Sequence, residues 1–153
     1  LVNKIFIDAD SSPVIEETIE VIQDLFLETQ QQIKLVLIKD YAHYTNADYP
    51  EFVATYYVDT GHDSADYKIT AMTKEHDLVI TGDYGLASLL LNKSVEVLHH
   101  NGTFYSIDTI DLLLQTRHDH LQLRKAKKRV RGPKKFTHHD RENFKRILKK
   151  HLS

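Results

Sequence analysis

Five short apolar runs recur along the chain, and stretches of a longer hydrophobic period separate them. This alternation restricts the fold more than any other feature. The runs are residues 3–7, 34–38 (KLVLI), 54–58 (ATYYV), 78–81 (LVIT) and 95–98 (VEVL). Short runs with little polar alternation suit strands buried on both faces. Between the first two, Val14, Ile15, Ile19, Ile22, Leu25 and Phe26 recur at helical spacing to about Glu28. Residues 63–75, 84–92 and about 107–123 also read as helices. Strands alternating with helices predict an α/β domain with a mainly parallel sheet and helices on both faces. Ligands of such sheets bind beyond the carboxyl ends of the strands.

Local signals punctuate the elements. Ser11-Ser12-Pro13 reads as a helix start, with a hydroxyl cap and proline at the first helical position. Glu16 and Glu17 then fall in the first turn, where the helix dipole favours anions. Residues 41–52, with Asn46, Asp48 and Pro50, read as a loop, and Asn101-Gly102 as a turn. Thr137 is placed to cap a last helix over 138–151, whose apolar stripe of Phe144, Ile147 and Leu148 predicts docking on the body.

With 153 residues, the chain fits one domain. It contains no cysteine, which excludes disulfides, thiolate zinc sites and a cysteine nucleophile. No apolar run approaches a membrane span, and the N-terminus enters a strand directly rather than a signal peptide. The expectation is a cytoplasmic protein without a membrane partner. The net charge of −2 conceals a division: residues 124–153 hold 13 lysines and arginines against 2 acids, whereas residues 1–123 hold 7 against 20. An acidic body, 1–123, with a basic extension, 124–153, suggests an anionic partner such as nucleic acid. A solvated tail that serves solubility is the plain alternative.

The chemistry concentrates in aspartates at strand–helix junctions. Asp8 and Asp10 end the first strand, and a period of two puts both on one face if the strand continues. Turn chemistry accounts equally for Asp10, but Asp8 directly follows an apolar run and is expected to be semi-buried, where a carboxylate needs a cation or several donors. Asp63 and Asp66 open the second helix on one face; capping by Asp63 and dipole stabilisation of Asp66 explain them as well. Asp83 follows the fourth strand in Thr81-Gly82-Asp83 and also suits a cap. Taken together, three junctions each deliver aspartate to one sheet edge. Two carboxylates about 4 Å apart repel by about 4 kcal/mol at an effective dielectric of 20, so gathering several calls for a cation. An oxygen-only donor set favours Mg²⁺ or Mn²⁺ over zinc. The ten histidines read as surface residues, with His62 nearest the acidic junctions. Tyr41, Tyr44, Tyr49, Tyr56 and Tyr57 are suited to stacking on bases, although packing is their commoner use.

These motifs resemble those of the YaiI/YqxD family, bacterial proteins with a PIN-like domain. Asp8-Ala9-Asp10-Ser11-Ser12-Pro13 resembles the family's Asp-Ala-Asp-Ala-Cys-Pro opening. Gly61-His62-Asp63-Ser64-Ala65-Asp66 resembles its Gly-x-Asp-Ala-Ala-Asp motif, and Thr81-Gly82-Asp83-Tyr84-Gly85-Leu86-Ala87 its Thr-x-Asp-x-Pro-Leu-Ala motif. Gly132-Pro133, Phe136 and Asp140-Arg141 resemble its C-terminal signature. Ser11-Ser12 stands where the family has Ala-Cys, and Gly85 where it has Pro. The resemblance implies a three-layer αβα, PIN-like fold in which Asp8, Asp10, Asp63, Asp66 and Asp83 converge, as in Mg²⁺- or Mn²⁺-dependent ribonucleases.

The expected activity is therefore metal-dependent phosphodiester hydrolysis, on RNA more than DNA. Asp8, Asp66 and Asp83 are the principal ligands, with Asp10 and Asp63 completing the shell or acting through water. Ser11 and Thr81 are expected to orient carboxylates or a phosphate. Arg124, Lys127, Lys128, Arg129 and Arg131 are expected to grip the phosphate backbone. A non-catalytic nucleic-acid-binding module and a Mn²⁺/Mg²⁺ phosphatase of small phosphoesters are the rival readings. The number of metal ions and the oligomeric state stay open at this level.

Overall fold

A computed structural model describes residues 1–61, 63–125 and 135–153. Five strands form one parallel sheet: β1 (Lys4–Asp8), β2 (Lys34–Asp40), β3 (Val53–Val58), β4 (Leu78–Ile80) and β5 (Glu96–Leu98). Their order is β3-β2-β1-β4-β5. The chain steps outward from β1 to β3, then crosses back and steps outward again from β4 to β5. The direction of winding therefore reverses between β1 and β4, the place where open α/β sheets keep their ligands.

Among the described residues, five α-helices complete the fold: α1 (Ile15–Thr29), α2 (Ser64–Met72), α3 (Tyr84–Leu91), α4 (Ile107–Lys125) and α5 (His138–Leu152). The pleat sorts strand residues between two cores. Ile5, Ile7, Leu35, Leu37, Leu78 and Ile80 face a layer that contains Val21, Ile22 and Leu25 of α1 and Phe144, Leu148 and Leu152 of α5. Phe6, Val36, Ile38, Val79 and Val97 face Ile69 of α2, Leu86 and Leu90 of α3, and Ile110 of α4. The result is the expected three layers: helices, parallel sheet, helices. No described helix is long and apolar enough to cross a membrane.

Several boundaries differ from the sequence reading for local reasons. Ser12 does not cap α1. A 3-10 turn over Ala9–Ser11 intervenes, Ser12 Oγ accepts from the Val14 amide at 3.3 Å, and the helix starts at Ile15 without a side-chain cap. Glu16 and Glu17 do occupy its first turn. β2 runs two residues past the expected end, because its pairing with β3 continues to Asp40 opposite Val58. The loop over 41–52 opens with a 3-10 turn, Tyr41–His43.

The C-terminal helix joins the same body. Thr137 and Asp140 form a reciprocal capping box at its start. Phe144 and Leu148 have no solvent exposure. Arg141 meets Glu17 at 3.2 Å, Lys145 meets Glu20 at 2.6 Å and Lys149 meets Glu28 at 2.8 Å, so α5 lies parallel to α1 along a row of ion pairs. Much of the positive charge of α5 is thus matched within the molecule. Lys127, Lys128, Arg129 and Arg131, expected to grip phosphate, lie outside the described residues, as do His62 and Gly132-Pro133. Arg124 falls in the last turn of α4.

Candidate active site

Each of the first four strands delivers an aspartate to the carboxyl edge of the sheet. Asp8 ends β1 and Asp40 ends β2, Asp59 follows β3, and Asp83 follows β4 after Thr81-Gly82. The turn after β1 adds Asp10, and the start of α2 adds Asp63 and Asp66. All seven line one cleft of about 210 Å³, together with Val58, Gly61, Ser64 and Ala65. Among the described residues no lysine, arginine or histidine lines it.

The five aspartates expected from sequence therefore share one cleft, each with a different degree of local commitment. Asp83 is the N-cap of α3: its Oδ1 accepts from the amides of Gly85 at 2.9 Å and Leu86 at 3.3 Å. Both bonds use one oxygen, which leaves Oδ2 uncommitted among the described residues. Asp63 holds the N-cap position of α2 with a left-handed backbone, φ 67°, but its carboxylate makes no capping bond. Aspartate tolerates that conformation better than most residues, and such strain tends to gather at functional sites. Asp66 is the third residue of α2, in its first turn.

Asp8 carries the clearest electrostatic signature. Its carboxyl is held above the ordinary carboxylate range, mainly by burial and then by the negative charges of Asp10 and Asp83. Ser11 opposes the shift, its hydroxyl reaching Asp8 Oδ2 at 3.5 Å. Ser11 is thus positioned to orient a carboxylate. Thr81 acts on the backbone instead: its Oγ1 accepts from the Asp83 amide at 3.1 Å, and with 3% exposure it is shielded from any ligand. Its carbonyl accepts from the Tyr105 hydroxyl at 3.2 Å. Burial, followed by Tyr84 and Asp83, holds that phenol well above its ordinary pKa, so it stays a hydrogen-bond donor.

Among the described residues, the tightest ligand grouping is one that sequence reasoning missed. Carboxylate oxygens of Asp10 and Asp40 and a ring nitrogen of His43 all lie within 4.8 Å of one another. Asp10 Oδ2 accepts from the Asp40 amide at 2.8 Å, which ties the ends of β1 and β2 together. His43 Nδ1 stands 2.7 Å from Asp40 Oδ1 and 3.4 Å from Asp10 Oδ1. Asp8, Asp66 and Asp83 line the same cleft at wider separation. Asp59 had the same signal as Asp8, an aspartate directly after an apolar run, whereas Asp40 is separated from its run by Lys39.

The fifth strand ends differently. His99 and His100 follow β5 with ring centroids 4.0 Å apart, and a Cβ on Gly82 would come within 3.1 Å of His100. A side chain at residue 82 would press on His100, which would have to give by a few tenths of an ångström. Burial, reinforced by His100, lowers the pKa of His99 to about 4, so the ring is neutral near pH 7. Phe136 packs edge-on against His100 at 5.4 Å and under the Arg141 guanidinium at 4.9 Å. Phe136, just before α5, thus meets the body beside the Asp83 turn.

A mainly carboxylate donor set, crowded on one edge with one carboxyl held high and His43 beside Asp10 and Asp40, suits a hard divalent cation such as Mg²⁺ or Mn²⁺. Asp8, Asp66 and Asp83 are the candidates to hold it, with Asp10, Asp40 and Asp63 adjoining.

Residues 6–153 match the model of the family described as uncharacterized BCR, YaiI/YqxD family. A UPF0178 protein of Bacillus cereus is 46% identical over 146 residues, covering 95% of this chain and 96% of that protein. A second, from Bacillus cereus strain AH187, is 45% identical over 150 residues, covering 98% and 99%. A third, from Bacillus anthracis, is 44% identical over 146 residues, covering 95% and 96%. No solved structure matches the chain.

Proposed function

The chain belongs to the YaiI/YqxD family, and we propose that it is a metal-dependent nuclease that hydrolyses phosphodiester bonds, with RNA as the favoured substrate. The observation that carries this reading is the convergence of seven aspartates in one cleft with no basic side chain among its described lining. Capping explains one or two such residues; it does not explain an aspartate after each of four parallel strands. Neutralising that charge calls for cations, and a phosphodiester is the kind of substrate whose own charge the same cations would offset. The expected PIN-like character of the fold favours RNA.

Asp8, Asp66 and Asp83 would hold a divalent ion, which would supply Lewis-acid activation of water and charge stabilisation at phosphorus. The chain's own groups set the geometry. The α3 cap fixes one Asp83 oxygen and leaves the other toward the cleft. Ser11 steadies Asp8, and the buried Thr81–Tyr105 pair holds the strand end from which Asp83 departs. The crowded edge repels a phosphodiester until metal is present, so binding and hydrolysis are coupled to the ion.

Asp83→Asn separates the cap from the charge, because asparagine caps helices as well as aspartate. It is expected to leave the far-ultraviolet spectrum unchanged and to abolish Mn²⁺-dependent cleavage of labelled single-stranded RNA. Cleavage at the wild-type rate in that variant would remove Asp83 from the mechanism. Binding of RNA that survives chelation in the wild type, without cleavage in any metal, would favour a non-catalytic binding module.

A further inference from the structure

Beside the acidic cleft runs a second, more open groove of about 540 Å³, which shares Val58, Asp59 and Ser64 with it. One wall is a face of α2: Ser64, Tyr67, Lys68 and Ala71 recur at helical spacing. The other wall is Tyr41, from the turn after β2, and Tyr57 of the edge strand β3. Tyr41 stacks on Tyr57 with centroids 5.7 Å apart and planes 19° apart, and Tyr44 backs Tyr57 at 5.3 Å. The supported ring, Tyr57, thus carries an outer one. Tyr41 is 60% exposed and Tyr67 is 78% exposed. Neither contributes to the two hydrophobic cores. Lys68 lies over the Tyr56 ring at 5.7 Å, which places a cation at the groove.

Two exposed tyrosines on opposite walls, one already in a stack, do little for the fold. Aromatic faces accept any nucleobase, because every base has a π-face. A groove continuous with a hydrolytic cleft receives the part of the substrate that flanks the reacting bond. The geometry points to the Tyr41–Tyr57–Tyr67 groove as a subsite that stacks an unpaired nucleobase of a single-stranded substrate, with Lys68 meeting the adjoining phosphate. This rests on the nuclease reading for its direction but not for its measurement, which is of binding. It also sets the substrate class: a duplex keeps its bases stacked on each other, whereas a single strand presents them.

The test compares a fluorescein-labelled single-stranded RNA octamer with an abasic oligomer of equal length and charge, by fluorescence anisotropy. Ca²⁺ and Mn²⁺ are used in turn to neutralise the acidic cleft. The wild type is expected to bind the base-bearing strand at least about fivefold more tightly, the lower end for one stacked base. The Tyr41→Ala/Tyr67→Ala double variant is expected to lose that preference at an unchanged melting temperature. The Tyr41→Phe/Tyr67→Phe variant, which keeps the rings, is expected to retain it. Lys68→Ala is expected to weaken both ligands alike and to lower the salt slope by about one. Equal affinity for the two ligands overturns the proposal, even if the enzyme cleaves RNA. Absence of binding to either in both metals also overturns it. So does a wild-type dimer that the alanine pair dissociates, which would give the groove to a second copy. Base-dependent binding with no cleavage in any metal would sustain the groove and overturn the nuclease instead.

Discussion

Replacing Asp8 by asparagine should make the metal-free protein more stable. The side chain keeps its size and an acceptor for Ser11, so packing at the end of β1 is preserved. What it loses is a half-buried charge facing Asp10 and Asp83. A cleft of about 210 Å³, treated as a sphere, is about 7 Å across, and two charges at that separation repel by ~0.6 kcal/mol in water and ~2.4 kcal/mol at an effective dielectric of 20. With two neighbours, removing Asp8 is worth about 2 kcal/mol, or about 4–8 °C in melting temperature for a domain of this size. The pH dependence fixes the sign. A carboxyl whose folded pKa is raised binds more protons folded than unfolded, from its ordinary value of 3.8 up to the raised one. The wild type therefore loses stability as pH rises through that window, and the variant does not. Thermal denaturation in chelator at pH 4 and pH 7.5 should show a gap between the two proteins that widens at the higher pH. Millimolar Mn²⁺ should then raise the melting temperature of the wild type and not that of the variant. An Asp8→Asn protein that is folded at pH 7.5 and melts at or below the wild-type temperature in chelator would refute the claim that these carboxylates repel one another.

Two other measurements probe the frame and its other pH-sensitive group. Phe144→Ala deletes a ring with no solvent exposure from the layer shared by α1 and α5; it should cost about 3–5 kcal/mol in urea denaturation, and a loss under 1 kcal/mol would mean that α5 is only loosely docked. His99 has its pKa lowered to about 4 by burial and His100, so the folded state binds fewer protons than the unfolded one between pH 4 and 6.5, and stability should climb with pH across that interval. His99→Asn, which retains an acceptor for the Asn101 amide, should flatten the climb, and an undiminished climb would exclude His99 as its source.

The frame was legible because burial dominates it. Strands flanked by helices on both faces carry apolar residues at consecutive positions, and β1, β2 and β4 announce themselves that way. Asp8 and Asp83 stood out because they close such runs, and Asp63 and Asp66 because they open a helix on one face. Asp59 obeys the same rule and was overlooked, whereas Asp40 stands beyond Lys39 because β2 reads two residues short in sequence: its extension depends on pairing with β3, which no local window shows. The start of α1 misled for a related reason. Ser-Ser-Pro has the composition of a cap, but the chain first makes a 3-10 turn that lets Asp10 bond the Asp40 amide, and that partner lies 30 residues away. The groove beside the cleft was visible only in part, as a cluster of tyrosines that did not include Tyr67. Spacing alone could not separate Tyr57, which is partly covered, from Tyr41 and Tyr67, whose rings face solvent.

Because the aspartates arrive on separate strands, the cleft behaves as a gauge of alignment. Residue 7 lies level with residue 80, and residue 8 with residue 38. A slip of one residue in either pairing would turn the slipped strand's aspartate to the opposite side of the sheet. The in-register protein is then the state that gathers all the cleft's carboxylates, and an ion that binds them would, if added during refolding, favour it over its misaligned competitors. The cation would serve as an inspector of the finished sheet before it met any substrate.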